Sequence, residues 1–552
     1  MGFLDPTPTP YDPLAWVRKP LHERGRMACE AWATQGYGTP LAVFLLYAFK
    51  IALYLAGWLL FCGLTPTLGG PSTIASWWLH PIAFQKAIVW SMLFEILGLG
   101  CGSGPLTGRY LPPVGGFLYF LRPGTTKLPF WPRLPLLGGH RRGLLDVVAY
   151  LALLVLAVRA LLAPAPSLEH FAPLAALIPL LGVLDKTLFL AARAEHYWVT
   201  ILCFVLARDW IAGAMAVQLA LWFWAGFSKL NHHFPTVVCV MTSNGPLTRF
   251  FPWLRRKVYR DYPRDLRPSS LATALGHGGT ALEMGVPIAF LLTPAGTPPV
   301  VAIVLMLMLH VYIVINVPMG VPLEWNFAVA YGGFALFWAH PEVSLSALGA
   351  TPFAALLALL LIGLPLLGNL APERVSFLLS MRYYAGNWAY SVWFFRGDSH
   401  RKLERLTTSS AWVYDQLAPF YDRATAVGLV GKVLAFRLMH LHGRALPALV
   451  PRAVDRLEEY EWMDGEIIAG LALGWNFGDG HLHHEQLLSA IQAQCGFDEG
   501  ELRCIFVESQ PMLRPSLAYR IVDAKTGPIA AGELPIAELR SRQPWEPPGA
   551  SS

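Results

Sequence analysis

The chain has 552 residues, of which 55% are hydrophobic and only 14% are charged, and its mean hydropathy is +0.44. Soluble domains carry about a quarter charged residues, so this composition excludes an ordinary soluble domain and predicts a polytopic membrane protein in contact with the lipid bilayer. The net charge of +6 is modest, and no basic face is interleaved with aromatic residues away from the membrane edges, so nucleic acid is not an expected partner.

The first 39 residues are polar and precede a long apolar run. A secretory signal would have a shorter apolar core nearer the start, so we expect the first apolar run to be an anchor. The basic residues of this segment favour a cytoplasmic N-terminus, since Lys and Arg accumulate on the cytoplasmic side of membrane proteins.

Apolar runs separated by charged or proline-rich loops predict about ten membrane crossings. The run from 197 to 229 is too long for one span and contains Arg208 and Asp209, so we expect a break there. Basic loops at 100–142 and 230–269 then lie on the cytoplasmic side together with both termini, in the cell membrane. The expected spans are 40–64, 82–99, 144–162, 172–191, 197–207, 210–227, 271–292, 300–317, 325–339 and 353–367.

After residue 370 the composition becomes that of a soluble chain, and we expect a cytoplasmic tail at 371–552 behind the transmembrane domain at 40–370. Aromatic residues framed by arginines at 382–396 predict a helix lying in the inner membrane interface. Helical patterns continue to residue 473, and 501–536 predicts a small β unit. The predicted fold is an all-α polytopic bundle with a small mixed α+β C-terminal region.

Two ionisable residues lie deep in neighbouring apolar runs. Glu283 is nine residues before the end of its predicted helix, and His310 is ten residues after the start of the next. These positions correspond to depths of about 13 Å and about 15 Å. An ionisable group at such a depth costs roughly 2.5–3.5 kcal/mol and is a functional candidate. The alternative is a hydrogen-bonded pair that locks the two helices together.

Lys229 ends the aromatic run that begins at Trp222, at the inner end of its predicted helix. A lysine in this position can extend to the lipid headgroups, or it can act as a partly desolvated base. Both interpretations remain open. His232 and His233 follow at once, and we consider them candidates for binding a substrate or cofactor, with solvated interfacial histidines as the alternative.

Other charged groups have structural interpretations. Lys50 and Glu95 lie in the first two apolar runs, and a salt bridge between them would neutralise both charges. The histidines at 481–484 resemble a metal site, but they fit the first turn of a helix that begins at Glu485. We predict no metal site.

Three short motifs resemble the membrane domain of vitamin K-dependent gamma-carboxylases and their bacterial relatives, the horizontally transferred transmembrane domain proteins. Residues 225–229, Ala-Gly-Phe-Ser-Lys, are similar to the Ala-Gly-x-x-Lys end of an aromatic helix in that class. Residues 283–287 resemble its Glu-x-x-x-Pro motif, and His310 resembles a histidine on a later helix. The likeness covers about residues 40–370, and the whole chain also resembles an uncharacterised bacterial transmembrane family.

This resemblance implies a catalytic group made of Lys229, Glu283 and His310. In the carboxylases a lysine deprotonates a reduced quinone, and Lys229 would take that role, with a reduced quinone as the implied cofactor. Those enzymes act on the luminal side, whereas the loop charges here place Lys229 on the cytoplasmic side. A lipophilic small molecule is therefore the expected substrate, rather than a peptide glutamate.

Two classes of function remain open at this stage. The first is a gamma-carboxylase-like membrane enzyme that acts on a quinone or another lipophilic substrate. The second is a protein without enzymatic activity, either a transporter of lipids or small molecules or a membrane scaffold that binds partners through its tail.

Overall fold

The computed structural model describes residues 3–100, 116–135, 137–316, 323–376, 378–382, 386–408, 410–475 and 485–547. The chain is mostly helical, with a small antiparallel sheet near the C-terminus. The principal helices are α1 (Leu21–Gln35), α2 (Leu41–Gly63), α3 (Pro81–Ile96), α4 (Leu144–Leu162), α5 (Leu168–Leu184), α6 (Tyr197–Leu206), α7 (Trp210–Phe227), α8 (Phe234–Asn244), α9 (Ser270–Leu292), α10 (Val300–Asn316), α11 (Leu323–Gly332), α12 (Pro352–Leu370), α13 (Arg423–Met439), α14 (Leu446–Ala453), α15 (Gly465–Leu473) and α16 (Glu485–Cys495).

Five helices are long and apolar enough to cross a membrane, namely α2, α4, α7, α9 and α12. Helices α5, α6 and α10 are apolar but shorter. The bent pair Arg423–Met439 and His442–Ala453, with an angle of 96°, would count as a sixth candidate only if it were one broken span. The described helices thus give five or six candidate crossings, and the predicted number of about ten is not confirmed.

The predicted break between α6 and α7 is confirmed. Helix α6 ends at Leu206, and Asp209 caps the start of α7 by accepting hydrogen bonds from the backbone N–H groups of Ile211 at 2.9 Å and Ala212 at 3.1 Å. A side-chain acceptor at this position satisfies amide groups that have no partner within the helix. The polar dipeptide therefore ends one helix and starts the next.

The strands are β1 (Tyr259–Asp261), β2 (Asp265–Pro268), β3 (Tyr390–Arg396), β4 (Tyr460–Asp464), β5 (Leu502–Val507), β6 (Ser516–Asp523) and β7 (Gly527–Pro535). The C-terminal sheet is antiparallel throughout, with the order β4-β3-β5-β6-β7, and a separate hairpin, β1 with β2, precedes α9. The predicted β unit at 501–536 is confirmed, since three of these strands lie there.

The predicted interfacial helix at 382–396 is wrong for 390–396. That stretch is strand β3, which pairs with β4 on one side and β5 on the other, and six of its seven residues are buried. A strand covered on both faces has a continuous apolar pattern, which periodicity alone cannot distinguish from a buried helix. Residues 383–385 of this prediction lie outside the described residues. Strand β4 likewise interrupts the predicted helical stretch.

Two large hydrophobic clusters organise the fold. The membrane-helix cluster contains residues of α3 to α7 and α9 to α12, for example Trp224 and Val286. The sheet cluster combines the C-terminal sheet and α13 with Trp16 and Trp32 from the N-terminal segment and Val238 from α8. The division at 39 and 371 stays a prediction, but one core contains residues from both sides of it.

We expect residues 371–552 to fail to fold when expressed alone. The fragment would lose the apolar surface that α1, α8 and the first turn of α9 bury against α13 and the sheet, so its own core would be exposed to water. Thermal unfolding followed by circular dichroism should be cooperative for the full chain and absent for the fragment. Cooperative unfolding of the isolated fragment would contradict the shared core.

Candidate functional site

Lys229 and Glu283 form an ion pair between the end of α7 and the middle of α9. Their side chains are nearly buried, with 11% and 6% of their surface exposed. The ring of Phe234, at the start of α8, lies 5.1 Å from Lys229 Nζ. The lysine therefore does not simply extend into the headgroups. It is held by a carboxylate and faces an aromatic ring.

A glycine lets the two helices approach closely enough to form this pair. A Cβ atom on Gly226 would lie 2.6 Å from Cγ and 3.1 Å from the backbone N of Met284, closer than van der Waals contact permits. About one turn before Gly226 on α7, Trp222 stacks on Phe290 of α9, with ring centroids 5.5 Å apart and an angle of 7° between the ring planes. The two contacts run in opposite directions along the helices, so α7 and α9 are antiparallel neighbours.

The ion pair lies where the two hydrophobic clusters meet. Ala225 and Val286, close to the pair in sequence, belong to the membrane-helix cluster, while Phe234 and Ala272 belong to the sheet cluster. The N-terminal part of α9 thus packs against α8, next to the sheet cluster. The sequence placed Glu283 at a depth of about 13 Å and Lys229 at the inner end of its helix, whereas the structure brings the two side chains into contact.

His310 has different partners from those expected. Its Nε2 accepts a hydrogen bond from the indole N–H of Trp222 at 3.1 Å, and its Nδ1 lies 3.0 Å from Oδ1 of Asn326. Because the indole is only a donor, Nε2 must be the unprotonated nitrogen and Nδ1 carries the proton that is donated to Asn326. The structural alternative, a hydrogen-bonded pair of His310 with Glu283, is not what the structure has, since Glu283 pairs with Lys229. His310 instead fixes Trp222.

The two histidines after Lys229 lie in different environments. His233 is fully buried, and its ring centroid lies 5.9 Å from that of His442 in the C-terminal part of the chain. His232 is largely exposed. Partial burial, together with the positive charges of Arg540 and His277, lowers the pKa of His232. The side chain of Asn231 donates to the backbone carbonyl of Gln510 at 3.3 Å, so this turn connects α7 to the C-terminal part of the chain.

A second charged cluster was not identified from the sequence. Glu95 pairs with Arg193 at 2.5 Å, and neither side chain is exposed. The expected salt bridge with Lys50 is wrong, since Lys50 donates to the carbonyl of Gly100 at 3.0 Å. The signal that could have indicated the cluster is the charged stretch 193–196, which directly precedes the apolar run of α6.

Within the described ranges, no group of three or more His, Cys, Asp or Glu side chains is placed to hold a metal ion. The histidines at 481–484 lie outside those ranges. The described site therefore consists of amine, carboxyl, imidazole and aromatic groups.

A family model described as "transmembrane protein of unknown function" (DUF3556) matches residues 1–551. The chain belongs to this family. The match covers nearly the whole sequence and supports the membrane assignment made from composition and apolar helices. No curated protein and no solved structure matches the chain. The family description includes no activity, so the function must be argued from the site.

We expect Gly226→Ala to destabilise the protein, because the added methyl group would force α7 away from Met284. Overpacking of this kind costs about 1–3 kcal/mol. Gly285→Ala is the matched control, since a Cβ atom there meets nothing within 4 Å and alanine favours a helix over glycine by roughly 0.5–1 kcal/mol. Thermal unfolding in detergent should show a lower midpoint for Gly226→Ala and an unchanged or higher one for Gly285→Ala. Equal midpoints would contradict the close approach.

Proposed function

We propose that the protein is a membrane enzyme of the gamma-carboxylase-like class that removes a proton from a lipophilic substrate, with Lys229 as the base and Glu283 as its partner. The observation that supports this most directly is the Lys229–Glu283 ion pair, which is nearly buried but not sealed and lies between the two hydrophobic clusters. The side chain of Lys229 is 11% exposed and lies beside the Phe234 ring, so a substrate could reach its amine. An ion pair that only stabilises the fold would not need this access.

The chemistry needs a lysine that can lose its proton. Transfer of that proton from Lys229 Nζ to the carboxylate of Glu283 converts two charges into a neutral pair, which is favoured when water is excluded. The neutral amine can then take a proton from an acidic O–H of the substrate. The result is a charged lysine, a protonated Glu283 and a substrate anion, so the net charge of the site is unchanged.

A reduced quinone has groups complementary to the amine and to the aromatic ring beside it. Its planar apolar body matches the Phe234 ring, which lies 5.1 Å from Lys229 Nζ, and when bound it would supply an acidic hydroxyl group. Phe234 and Lys229 are the residues that would hold it. The resemblance of residues 225–229 and 283–287 to the carboxylase motifs supports the same class of substrate.

His310 would act as a positioning residue in this proposal. Its hydrogen bonds with Trp222 and Asn326 join α7, α10 and α11. Trp222 in turn stacks on Phe290 of α9. His310 thereby supports the α7–α9 contact on which the ion pair depends.

A scaffold that works through its tail alone is disfavoured by the sheet cluster, because that core contains residues of the N-terminal segment, α8 and α9. The charges of the loops support a cytoplasmic position for both termini in the cell membrane.

The decisive experiment is mass spectrometry of the small molecules that co-purify with the full-length protein. We expect a phenolic or quinol lipid in the wild type. Lys229→Met should reduce it by about 10- to 100-fold, since a hydrogen bond to a charged group contributes about 1.5–3 kcal/mol. Membrane insertion should be unchanged.

Lys257→Met is the matched control, because Lys257 also lies near an aromatic ring, at 5.3 Å from Trp253, but is exposed and outside the site. It should leave the bound compound unchanged. Equal amounts of an ordinary phospholipid in all three proteins would argue for a transporter or a structural lipid and against the proposed enzyme.

A further inference from the structure

The second charged cluster contains a pair of carboxyl groups inside the helical bundle. Glu95 on α3 and Glu324 on α11 are buried, and their carboxyl groups lie close enough to share a side-chain hydrogen bond. A Cβ atom on Gly100 would lie 2.5 Å from Oε2 of Glu95 and 2.6 Å from Oε1 of Glu324. The two carboxyl oxygens therefore lie where the side chain of any residue other than glycine would begin at position 100.

A hydrogen bond between two carboxyl groups requires one proton between them. Arg193 Nε donates to the other oxygen of Glu95 at 2.5 Å, which stabilises the ionised form of that residue. The proton is therefore expected on Glu324. This arrangement is the standard consequence of two acids placed too close for both to ionise.

The other groups around the pair are mostly neutral or cationic. Lys50 and Tyr54 approach from α2, and the carbonyl of Gly100 accepts from Lys50. His196 Nδ1 accepts from the indole N–H of Trp325 at 3.2 Å, so that imidazole is not doubly protonated. Glu195 is buried in the same turn as Arg193.

An independent observation at this cluster is a buried hydroxyl group that lacks a hydrogen-bond partner in the part of the chain that the structure describes. Tyr197 is fully buried, and among the described residues its hydroxyl group has no hydrogen-bond partner, although Tyr54, Glu95, Arg193 and Glu324 surround it. A buried hydroxyl group without a partner is destabilising, because it has lost its hydrogen bonds to water. Such a group is expected where a further donor or acceptor binds.

Tyr54, which interacts electrostatically with Glu95 and Glu324, also lines an aromatic cavity of about 350 Å³. Its wall is almost entirely apolar, and three of its residues are 37–39% exposed on the outer surface of the helices. The lining includes Leu55, Trp58, Ile74, Trp78, Phe327 and Tyr331. The exposed three are Leu55, Ile74 and Phe327, so the cavity opens on the outer surface of the helices.

We propose that Glu95 and Glu324 form a site for one exchangeable proton, which is carried by Glu324 and reached from the lipid phase through the aromatic cavity at Tyr54. Ionisable groups held inside membrane bundles commonly serve as proton relays. The site is separate from the Lys229–Glu283 pair and does not depend on the function proposed for that pair.

Infrared spectroscopy of the full-length protein in lipid nanodiscs tests the proton. Near neutral pH, the wild type should have a C=O band of a protonated carboxyl group that shifts in D₂O. Glu324→Gln should remove this band, while Asp464→Asn, which removes a buried carboxylate paired with Arg437 outside both sites, should retain it. Glu324→Asp should restore a carboxyl band, which separates loss of the proton from loss of the fold.

A wild type without such a band, or a band that persists in Glu324→Gln, would overturn the proposal. Loss of the wild-type band on addition of sodium chloride would also overturn it, because the site would then bind a cation instead of a proton.

Labelling with the lipophilic reagent dicyclohexylcarbodiimide tests access from lipid. The carboxyl oxygen of Glu324 bonds to the central carbon of the reagent and its proton moves to nitrogen, and the adduct rearranges to a stable N-acylurea that peptide mass spectrometry detects. We expect at least tenfold more adduct at Glu324 than at Glu283. Ala328→Phe, which fills the cavity, should slow the labelling tenfold or more and leave the infrared band unchanged. Absent labelling, or labelling unaffected by Ala328→Phe, would refute access through the cavity.

Discussion

The cost of moving a charge out of water determines which segments of this chain become neighbours. Removing one partner of a buried ion pair costs about 3–5 kcal/mol, because the remaining charge is left without compensation. The buried cations and anions therefore meet across long stretches of sequence, and each pair fixes a contact between two elements. The pairs are Glu95–Arg193, Lys127–Asp146, Arg142–Asp185, Lys229–Glu283 and Arg437–Asp464.

The sequence was sufficient where the determining interactions are local. Asp209 ends one apolar run and begins another through hydrogen bonds to residues two and three positions ahead, so the break could be predicted. Strand β6 alternates between buried and half-buried residues and is joined to β7 by a tight turn, so this part of the sheet could also be predicted. Strand β3 could not, because it is buried on both faces by segments far away in the sequence, and its aromatic residues fit an interfacial helix equally well.

The candidate site was predicted in its residues but not in its contacts. Lys229, Glu283 and His310 were selected because each is an ionisable group in an apolar run. Their partners depend on how α9 packs against α7 and α8. A depth counted from the helical rise per residue does not describe that packing. The Glu95–Arg193 pair was missed because its two residues are 98 positions apart, so only the packing of the helices brings them together.

The sheet cluster also imposes an order of events during synthesis. Gly25 on α1 packs so tightly that an added Cβ would lie 2.9 Å from Leu438 and 3.0 Å from Trp545. At about 5–20 residues per second, the ribosome needs roughly half a minute to two minutes between the first and the last of these residues. The membrane helices can insert one after another in that interval, whereas α1 must wait with its apolar face uncovered. The protein is therefore expected to complete its fold only near the end of translation. Until then, the exposed apolar surface of the N-terminal segment is expected to bind chaperones.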